Sequence, residues 1–228
     1  MIIKKMSNYD WSFDYIPKVN IAFEIGSRDL LDANTIQKKY GCKVISFECN
    51  PDCIEECKKN KSIFNNDNII LIEKAVSRVD GYIKFLSIDL DKYDNMGASS
   101  IFELDFITSR NTSDPDYHKS NVQKLVKAPS IRFDTFCKEN NIIPDAIFMD
   151  VQEAELEVLS SASDYLKNVK YIVTEVSRKS TYKGGCNIVS LNNFLENKGF
   201  QILSHTPDII SETEYFSYLD CVYINKSI

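Results

Sequence analysis

The sequence predicts an α/β fold in which a mostly parallel sheet is covered by helices on both faces. Short apolar runs rich in β-branched and aromatic residues alternate along the chain with segments that carry helix-capping signals. Nearly continuous apolar strands are typical of parallel sheets, because helices bury both faces of such sheets. A length of 228 residues suits one domain, so we expect a single domain over residues 1–228.

The first part of the chain contains three predicted strands and two predicted helices. The strands are predicted over residues 19–25, 43–48 and 68–73. A helix is predicted over residues 32–40, where Gly41 supplies the left-handed residue with which many helices end. Asn50 is predicted to cap a second helix that has Pro51 at its first position. Residues 1–18 precede the first strand and are interpreted as an N-terminal extension.

The middle part of the chain is less regular. Residues 81–87 are predicted to form an extra strand, and turn-forming and polar residues then dominate from about residue 89 to residue 129. Long irregular segments in compact domains are usually functional or disordered. We therefore interpret residues 89–129 as an insertion or lid over the sheet.

Regular alternation returns in the last part of the chain. Strands are predicted over residues 145–150, 169–175, 200–204 and 220–225, the last two as a closing antiparallel pair. Asp134 is predicted to cap a helix that runs to Asn140. Apolar spacing predicts another helix over residues 153–162, and Ser190 is predicted to cap a helix that stops at residues 198–199.

The composition argues against several classes of function. The formal net charge of −6 lacks the basic footprint of a nucleic-acid-binding protein, so no nucleic-acid partner is expected. No apolar run approaches the ~20 residues of a membrane span, and the first residues lack the apolar core of a signal peptide. Seven scattered cysteines, an odd number, suit reduced thiols and a cytoplasmic location. Only seven glycines are present and no glycine-rich phosphate loop occurs, which argues against nucleotide-dependent kinases and ATPases.

A carboxylate lies at the carboxyl end of each of the five strands predicted to be parallel. These residues are Glu24, Glu48, Glu73, Asp150 and Glu175. Ligands of doubly wound sheets bind outside these strand ends, so the pattern indicates a binding site with a negative lining. The alternative interpretation is that charged residues simply mark the points where strands reach water.

The residues around Gly26 and Glu48 discriminate between two adenosine-bearing cofactors. Glu48 lies 22 residues after Gly26, near the offset at which an acidic residue holds ribose hydroxyls in nucleotide-binding βαβ units. A dinucleotide would also need a Gly-x-Gly-x-x-Gly loop for its pyrophosphate, and this loop is absent. Glu24 and Asp29 would repel a pyrophosphate but attract the ammonium and sulfonium groups of S-adenosylmethionine. S-adenosyl-L-methionine is therefore favoured, with an NAD(P)-dependent oxidoreductase as the alternative.

Three segments carry a resemblance to a known family. They are residues 23–29 (FEIGSRD), 45–51 (ISFECNP) and 145–159 (DAIFMDVQEAELEVL). Together they resemble the FkbM family of S-adenosylmethionine-dependent methyltransferases over roughly residues 20–177. Within the third segment, Glu153 occupies the position at which the family commonly has glycine.

The resemblance implies a Rossmann-like class I methyltransferase fold, with a seven-stranded, mostly parallel sheet and an antiparallel last strand. It also implies O-methylation of a hydroxyl on a sugar or a sugar-containing small molecule. By the resemblance, Glu48 holds the ribose, Ala75 and Val76 lie by the adenine, and Asp150 lies by the methionine portion. The full set of expected cofactor-binding residues is Glu24, Gly26, Ser27, Arg28, Asp29, Glu48, Cys49, Asn50, Ala75, Val76, Ser99, Ser100, Asp150 and Val151.

The candidate catalytic residues are those that can accept the proton of a hydroxyl nucleophile. They are Asp150, Glu175 and His118, and His118 lies in the segment interpreted as a lid, where the alternative is a solvated loop histidine. We predict no metal site, and a divalent cation held by Asp150 and Glu175 is the alternative. The expected partner is a small-molecule or glycan hydroxyl acceptor, and exposed sheet edges leave a homodimer open. A non-catalytic module that binds S-adenosylmethionine is a further alternative function.

Overall fold

The computed structural model describes residues 9–93, 95–105, 122–207, 209–210 and 217–228. Its strands form a large sheet and a small sheet. In chain order the strands are β1 (Ile21–Ile25), β2 (Lys43–Phe47), β3 (Ile69–Ile72), β4 (Ala75–Val76), β5 (Gly81–Ile88), β6 (Gln123–Ile131), β7 (Ala146–Met149), β8 (Tyr171–Ser177), β9 (Phe200–His205), β10 (Ile209–Ile210) and β11 (Ser217–Asn225).

The large sheet has the topology that the sequence predicts. Its strands lie in the order β3-β2-β1-β7-β8-β11, and β9 and β10 both pair with the outer edge of β11. The pairs β1–β2, β2–β3, β1–β7 and β7–β8 are parallel, whereas β11 is antiparallel to β8. Counting β9 and β10 as one edge position, this is a seven-stranded, mostly parallel sheet with an antiparallel last strand, so the predicted fold class is confirmed.

Side chains from the central strands are buried on both faces of the large sheet. Phe23 on β1 and Ile147 on β7 belong to one core cluster. Ala22 and Phe148, which alternate with them, belong to a second cluster on the opposite face. Because successive side chains of a strand point to opposite faces, this alternation requires a cover on each side of the sheet.

The covering helices begin and end close to the predicted positions. They are α1 (Leu31–Tyr40), α2 (Pro51–Phe64), α3 (Phe133–Asn140), α4 (Glu155–Ser160) and α5 (Ile188–Glu196). The Asn50 side chain caps α2 by accepting a hydrogen bond from the Asp52 amide at 3.2 Å, and α1 ends at Gly41 in the left-handed conformation. Among the helices of the described residues, none is long and apolar enough to cross a lipid bilayer.

Two predicted helix caps differ from those observed. Asp134 lies inside the first turn of α3, where its carboxylate pairs with the Arg132 guanidinium at 2.7 Å. Ser190 is the third residue of α5, and Asn187 caps this helix through a reciprocal pair of hydrogen bonds with Ser190. Both predicted caps are therefore wrong: Arg132 is the N-cap residue of α3 and makes no side-chain capping hydrogen bond, and Asn187 caps α5.

The helix predicted over residues 153–162 is shorter than expected. It runs only from Glu155 to Ser160. Gln152 and Glu153 have φ angles of 52° and 68°, and this left-handed backbone excludes them from a right-handed helix. The apolar spacing of the segment therefore indicates which face of α4 packs against the core, but it does not indicate the residue at which the helix begins.

The small sheet overlaps the segment interpreted as irregular. Strand β5, which begins at the predicted Gly81, pairs antiparallel with β6 over eight residues, and β4 pairs parallel with β6. Residues 123–129, within the predicted lid, therefore form a regular strand. Residues 106–121, including His118, lie outside the described residues. In the predicted N-terminal extension, Phe13 packs edge-on against the rings of Tyr40 and Phe148.

We expect replacement of Asn187 by alanine to destabilise the protein. The substitution removes the hydrogen bond that the Asn187 side chain accepts from the Ser190 amide, and loss of an N-cap costs about 1 kcal/mol. Thermal unfolding should show a Tm lower by about 2–4 °C for a chain of this size. The matched control is Val189→Ala on the same helix, because Val189 is exposed and its truncation should leave Tm nearly unchanged. Equal Tm values for the two variants would contradict the capping role.

Candidate active site

A cavity of about 580 Å³ lies at the carboxyl ends of the central strands. Its lining includes Ile25 at the end of β1, Phe47 at the end of β2, and Glu175 and Ser177 at the end of β8. Parallel sheets present their ligand sites at this edge, and the volume suits a small organic molecule. The position and size identify this cavity as the candidate active site.

The register of the sheet places carboxylates from separate parts of the chain in one row. Ile25 is in register with Phe47 and with Met149, and Met149 is in register with Thr174. Glu175, the next residue of β8, is in register with Asp220 on β11. Glu48, Gly26, Asp150, Glu175 and Asp220 therefore lie at adjacent positions across the sheet, in that order, and all five line the cavity. We call the four acidic residues of this set the carboxylate row.

Glu48 is held at one end of the carboxylate row by backbone hydrogen bonds. Its Oε1 accepts from the amides of Cys49 and Asn50 at 2.7 and 2.8 Å, and its Oε2 accepts from the Arg28 amide at 2.8 Å. Burial raises the pKa of Glu48, and these three amide donors oppose the rise. The contacts fix the carboxylate orientation, while one lone-pair site on Oε2 remains for a hydroxyl donor of a ligand.

Burial raises the pKa of each of the other carboxyls of the carboxylate row, and the Asp150 charge adds to the rise at Glu175 and Asp220. Burial, followed by the charges of Asp150 and Asp220, raises the pKa of Glu175 to about 10. Burial and the Asp150 charge raise the pKa of Asp220 to about 6. Burial also raises the pKa of Asp150, although Gln152 and Arg28 oppose this effect. A cationic ligand would stabilise the ionised form of all three groups.

The loop after β1 adopts an uncommon backbone conformation beside the row. Gly26, Arg28 and Leu30 have φ angles of 86°, 56° and 64°. At Gly26 a Cβ atom would overlap the carbonyl oxygen of Asp150, so no larger residue fits between β1 and β7. Such strained residues persist where surrounding contacts determine the backbone, and here the Glu48 carboxylate accepts the Arg28 amide.

Most of the residues predicted to bind the cofactor line this cavity. They are Gly26, Ser27, Arg28, Glu48, Cys49, Asn50, Ala75, Val76, Ser99, Asp150 and Val151. The catalytic candidate Glu175 lines it too, whereas His118 lies outside the described residues. Of the five strand-end carboxylates, Glu73 instead forms an exposed ion pair with Lys58 at 3.1 Å.

Glu24, Asp29 and Ser100 are not among the lining residues, and each has a local reason. The Glu24 carboxyl lies within the sheet against the Ser46 hydroxyl, where burial raises its pKa to about 8. Asp29 accepts the Leu31 amide at 3.0 Å, at the start of α1. The Ser100 hydroxyl donates to the Gln152 carbonyl oxygen at 2.9 Å. These contacts support the cavity wall from behind.

Sequence reasoning missed three residues that line the site. Asp220 joins the carboxylate row only because β11 pairs antiparallel with β8. Gln152 donates to the Asp150 carboxylate at 2.6 Å, and the Tyr182 hydroxyl lies 3.1 Å from the Gln152 side-chain oxygen. A strand-end search along parallel strands cannot find Asp220, and no local motif marks Tyr182.

The described ranges contain no group of three acidic, histidine or cysteine side chains arranged to hold a metal ion. Cys49, Cys53 and Cys57 recur along the start of α2, and all three are buried free thiols. Burial raises the pKa of each thiol, so these side chains stay protonated at neutral pH, whereas metal-binding cysteine is a thiolate.

The strand order and the acid-lined cavity at the strand ends define the class of S-adenosylmethionine-dependent methyltransferases with a Rossmann-like sheet. Comparison of the sequence with protein families finds the methyltransferase FkbM domain over residues 24–202. The chain therefore belongs to the FkbM methyltransferase family, which confirms the resemblance and decides against the oxidoreductase alternative.

One curated relative and two solved structures illustrate the similarity. The 2-O-methyltransferase NoeI of Sinorhizobium fredii (strain NBRC 101917 / NGR234) is 26% identical over 194 residues, which cover 82% of this chain and 74% of NoeI. The N-terminal domain of EvdMO1, crystallised in the presence of SAH and D-fucose, matches with a TM-score of 0.54 and 9% identity over 95% of this chain and 80% of that one. Streptococcus pneumoniae Sp1610 in complex with S-adenosyl-L-methionine matches with a TM-score of 0.51 and 13% identity over 98% and 75% of the two chains. At these identities the structural matches show the fold alone.

S-adenosylmethionine is the cofactor of this methyltransferase, and the cavity fits it chemically. The carboxylate row offers negative charge to a ligand that carries a sulfonium and an ammonium. Glu48 offers a carboxylate to ribose hydroxyls, and Val76, Phe85 and Val151 supply apolar surface for an adenine ring. Arg28 supplies a cation that suits the carboxylate of the methionine portion.

We expect Glu175→Gln to stabilise the empty protein at alkaline pH. The folded-state pKa of Glu175, about 10, lies above its ordinary value of 4.5, so its contribution to stability is complete below pH 4.5 and is lost as pH rises toward 10. A neutral glutamine avoids that loss. After allowance for screening by water in the cavity, the gain at pH 8 should be about 1–2 kcal/mol.

Urea unfolding at a series of pH values measures this effect. The stability difference between Glu175→Gln and the wild type should grow from near zero below pH 4.5 as pH rises. Glu139→Gln on α3 is the control, because Glu139 is exposed and should show no such trend. A pH-independent difference for Glu175→Gln would mean that Glu175 does not have the raised pKa.

Proposed function

We propose that this methyltransferase transfers the methyl group of S-adenosylmethionine to a hydroxyl oxygen of a sugar or a sugar-containing small molecule. The observation that carries the proposal is the carboxylate row. Glu48 at one end suits the cofactor ribose, and Glu175 and Asp220 at the other end offer carboxylate oxygens to the hydroxyl groups of an acceptor. The similarity to a 2-O-methyltransferase and the fold shared with a domain crystallised with D-fucose support this choice of acceptor.

The proposed cofactor half of the cavity lies between Gly26, Glu48 and Val76. There the Glu48 carboxylate, fixed by three backbone amides, accepts a ribose hydroxyl through the remaining site on Oε2. Ala75 and Val76 at β4 contact the adenine, and Cys49 and Asn50 close the cavity beside Glu48. Ser27 and Ser99 line the remaining wall of this half.

The proposed acceptor half lies around Asp150, Glu175 and Asp220. When bound, S-adenosylmethionine supplies a methyl group on a sulfonium, and methyl transfer needs the acceptor oxygen aligned with that group. A positive charge beside the row lowers the pKa of these carboxyls, so that Glu175 ionises and can accept the hydroxyl proton as general base. Asp150, whose ionised form the Arg28 charge favours, orients the cationic end of the cofactor. His118 stays a predicted catalytic residue.

The charge of the protein supports a small acceptor rather than a nucleic acid. The formal net charge is −6, and the proposed acceptor half is lined by carboxyls that repel a phosphate backbone. Cys42, Cys49, Cys53, Cys57, Cys137 and Cys186 are buried free thiols, which suits the proposed cytoplasmic location. A homodimer formed through exposed sheet edges stays a prediction.

We expect Glu48→Ala to weaken S-adenosylmethionine binding. Loss of charge-assisted hydrogen bonds worth about 1.5–3 kcal/mol corresponds to a Kd about 10–100-fold higher, measurable by titration calorimetry. Glu73→Gln is the matched control, because Glu73 is also a strand-end carboxylate but pairs with Lys58 at the surface. Its Kd should equal that of the wild type. Wild-type affinity in Glu48→Ala would remove Glu48 from the proposed ribose site.

We expect Glu175→Gln to lower kcat by about 10²–10⁴-fold, because glutamine cannot accept the hydroxyl proton. The Kd for S-adenosylmethionine should rise far less than kcat falls, since Glu175 lies outside the proposed cofactor half and contributes to cofactor binding only through its charge. The assay uses S-adenosylmethionine with panels of sugars, glycosides, non-sugar alcohols and RNA, and mass spectrometry identifies the methylated product. A sugar methyl ether is expected. Methylation confined to nitrogen, or to RNA, would overturn the proposed acceptor class.

A further inference from the structure

Glu153 occupies an unusual position next to the carboxylate row. It follows the β7 strand end by only a few residues, its side chain is 5% exposed, and its φ angle is 68°. A left-handed backbone costs a residue with a Cβ atom roughly 1 kcal/mol or more, and a buried carboxylate is costly unless it is fully hydrogen-bonded. Two unfavourable features at one residue call for strong compensating contacts.

The compensating contacts all come from one segment after β8, residues 180–185, which we call the wall segment. The Glu153 carboxylate accepts hydrogen bonds from the Ser180 hydroxyl, from the Thr181 amide and hydroxyl at 2.7 and 3.0 Å, and from the Tyr182 amide at 3.3 Å. At Gly185 a Cβ atom would overlap the Glu153 carboxylate, so the backbone of the wall segment lies directly against this side chain. One end of the wall segment is thus hydrogen-bonded to the Glu153 carboxylate, and the other end packs against the same side chain.

The wall segment forms part of the cavity and joins it to neighbouring segments. Thr181 and Tyr182 line the cavity. The Thr181 carbonyl accepts the Asp105 amide at 2.8 Å, and the Lys183 amide donates to the Glu103 carbonyl at 2.8 Å. Because the wall segment follows β8, which ends beside Glu175, it encloses the acceptor half of the site.

The wall segment also reaches Asp150 through two side chains. The Tyr182 hydroxyl lies 2.9 Å from the Ala98 carbonyl oxygen and 3.1 Å from the Gln152 side-chain oxygen. The Gln152 amide nitrogen donates to the Asp150 carboxylate at 2.6 Å. A shift of the wall segment would therefore change the orientation of Asp150 as well as the shape of the acceptor half.

We propose that Glu153 is a positioning residue that clamps the wall segment in place and thereby sets the acceptor-binding geometry of this methyltransferase. This inference rests on the proposed function for the identity of the acceptor half. Glu153 is itself among the lining residues of the cavity. Four donors of the wall segment occupy its carboxylate, so in this proposal it acts through Thr181, Tyr182 and Gln152 rather than by contact with cofactor or acceptor.

The central test compares Glu153→Gln with the wild type. Glutamine keeps the size of the side chain but turns a donor group toward the hydroxyl and amide donors of the wall segment, which breaks the clamp. The KM for the acceptor should rise by about tenfold or more, while the Kd for S-adenosylmethionine should rise less, because the clamp reaches the cofactor only through Gln152 and Asp150. Glu153→Asp, which keeps the charge, should recover part of the loss.

Limited proteolysis with trypsin tests the clamp without an enzyme assay, because the rate of cleavage reports how often the wall segment opens. Arg178, Lys179 and Lys183 lie at the surface in and beside the wall segment. Cleavage there should be about tenfold faster in Glu153→Gln than in the wild type, because the released segment opens more often. Glu103→Gln is the control, since Glu103 pairs with Lys183 on the exposed side of the same segment and should change neither KM nor the cleavage rate by more than about twofold.

Glu153→Gly is a second variant that keeps the test valid if Glu153→Gln misfolds. Glycine adopts the left-handed backbone without strain, so this variant should fold. It should show the same rise in acceptor KM and the same faster cleavage. Unchanged cleavage in both variants would overturn the clamp, and faster cleavage with unchanged acceptor KM would overturn its role in acceptor binding. If the wild type binds S-adenosylmethionine but methylates no hydroxyl acceptor, the proposed function fails, and the proteolysis then decides the clamp separately.

Discussion

Strand register places several carboxylates side by side, and the repulsion between their charges is the constraint on which the rest of the structure depends. Pairing of β1, β2, β7, β8 and β11 fixes Glu48, Asp150, Glu175 and Asp220 in one row that faces a shared cavity. Neighbouring strands are separated by ~5 Å, so ionised groups at adjacent positions repel each other strongly when water is partly excluded. The row is stable only with bound protons or with a nearby positive charge. A cationic methyl donor satisfies this requirement, and this links the sheet topology to the chemistry of the family.

Backbone strain is concentrated at the two junctions that border the row. After β1, the left-handed residues Arg28 and Leu30 follow Gly26, and after β7 the left-handed residues are Gln152 and Glu153. At each junction a carboxylate supplies compensating hydrogen bonds: Glu48 accepts the Arg28 amide, and Glu153 accepts donors of the wall segment. Residues other than glycine thus adopt a left-handed backbone beside the cavity, where function commonly requires such strain.

The strand-end rule applied to the sequence selects some carboxylates that line the cavity and others that do not. The strand-end rule located Glu48, Asp150 and Glu175, because the carboxyl ends of parallel strands meet at one edge. It also selected Glu73, which forms an exposed ion pair with Lys58, and Glu24, which lies two residues before Gly26 on β1 and is buried against Ser46. The rule carries no information about which face a side chain occupies. That choice depends on the register and on the exact residue at which each strand stops.

The amino-acid pattern of this chain was sufficient for the α/β class, for the order of most elements and for the nature of the ligand, because strand periodicity, helix caps and local charge are properties of neighbouring residues. Asp220, Tyr182 and the clamp at Glu153 emerged only from the folded chain. Their roles depend on an antiparallel last strand and on a segment that returns to the β7 junction from 27 residues away, as the Ser180–Glu153 contact shows. Contacts between residues so distant in sequence are created by packing, and no local pattern encodes them.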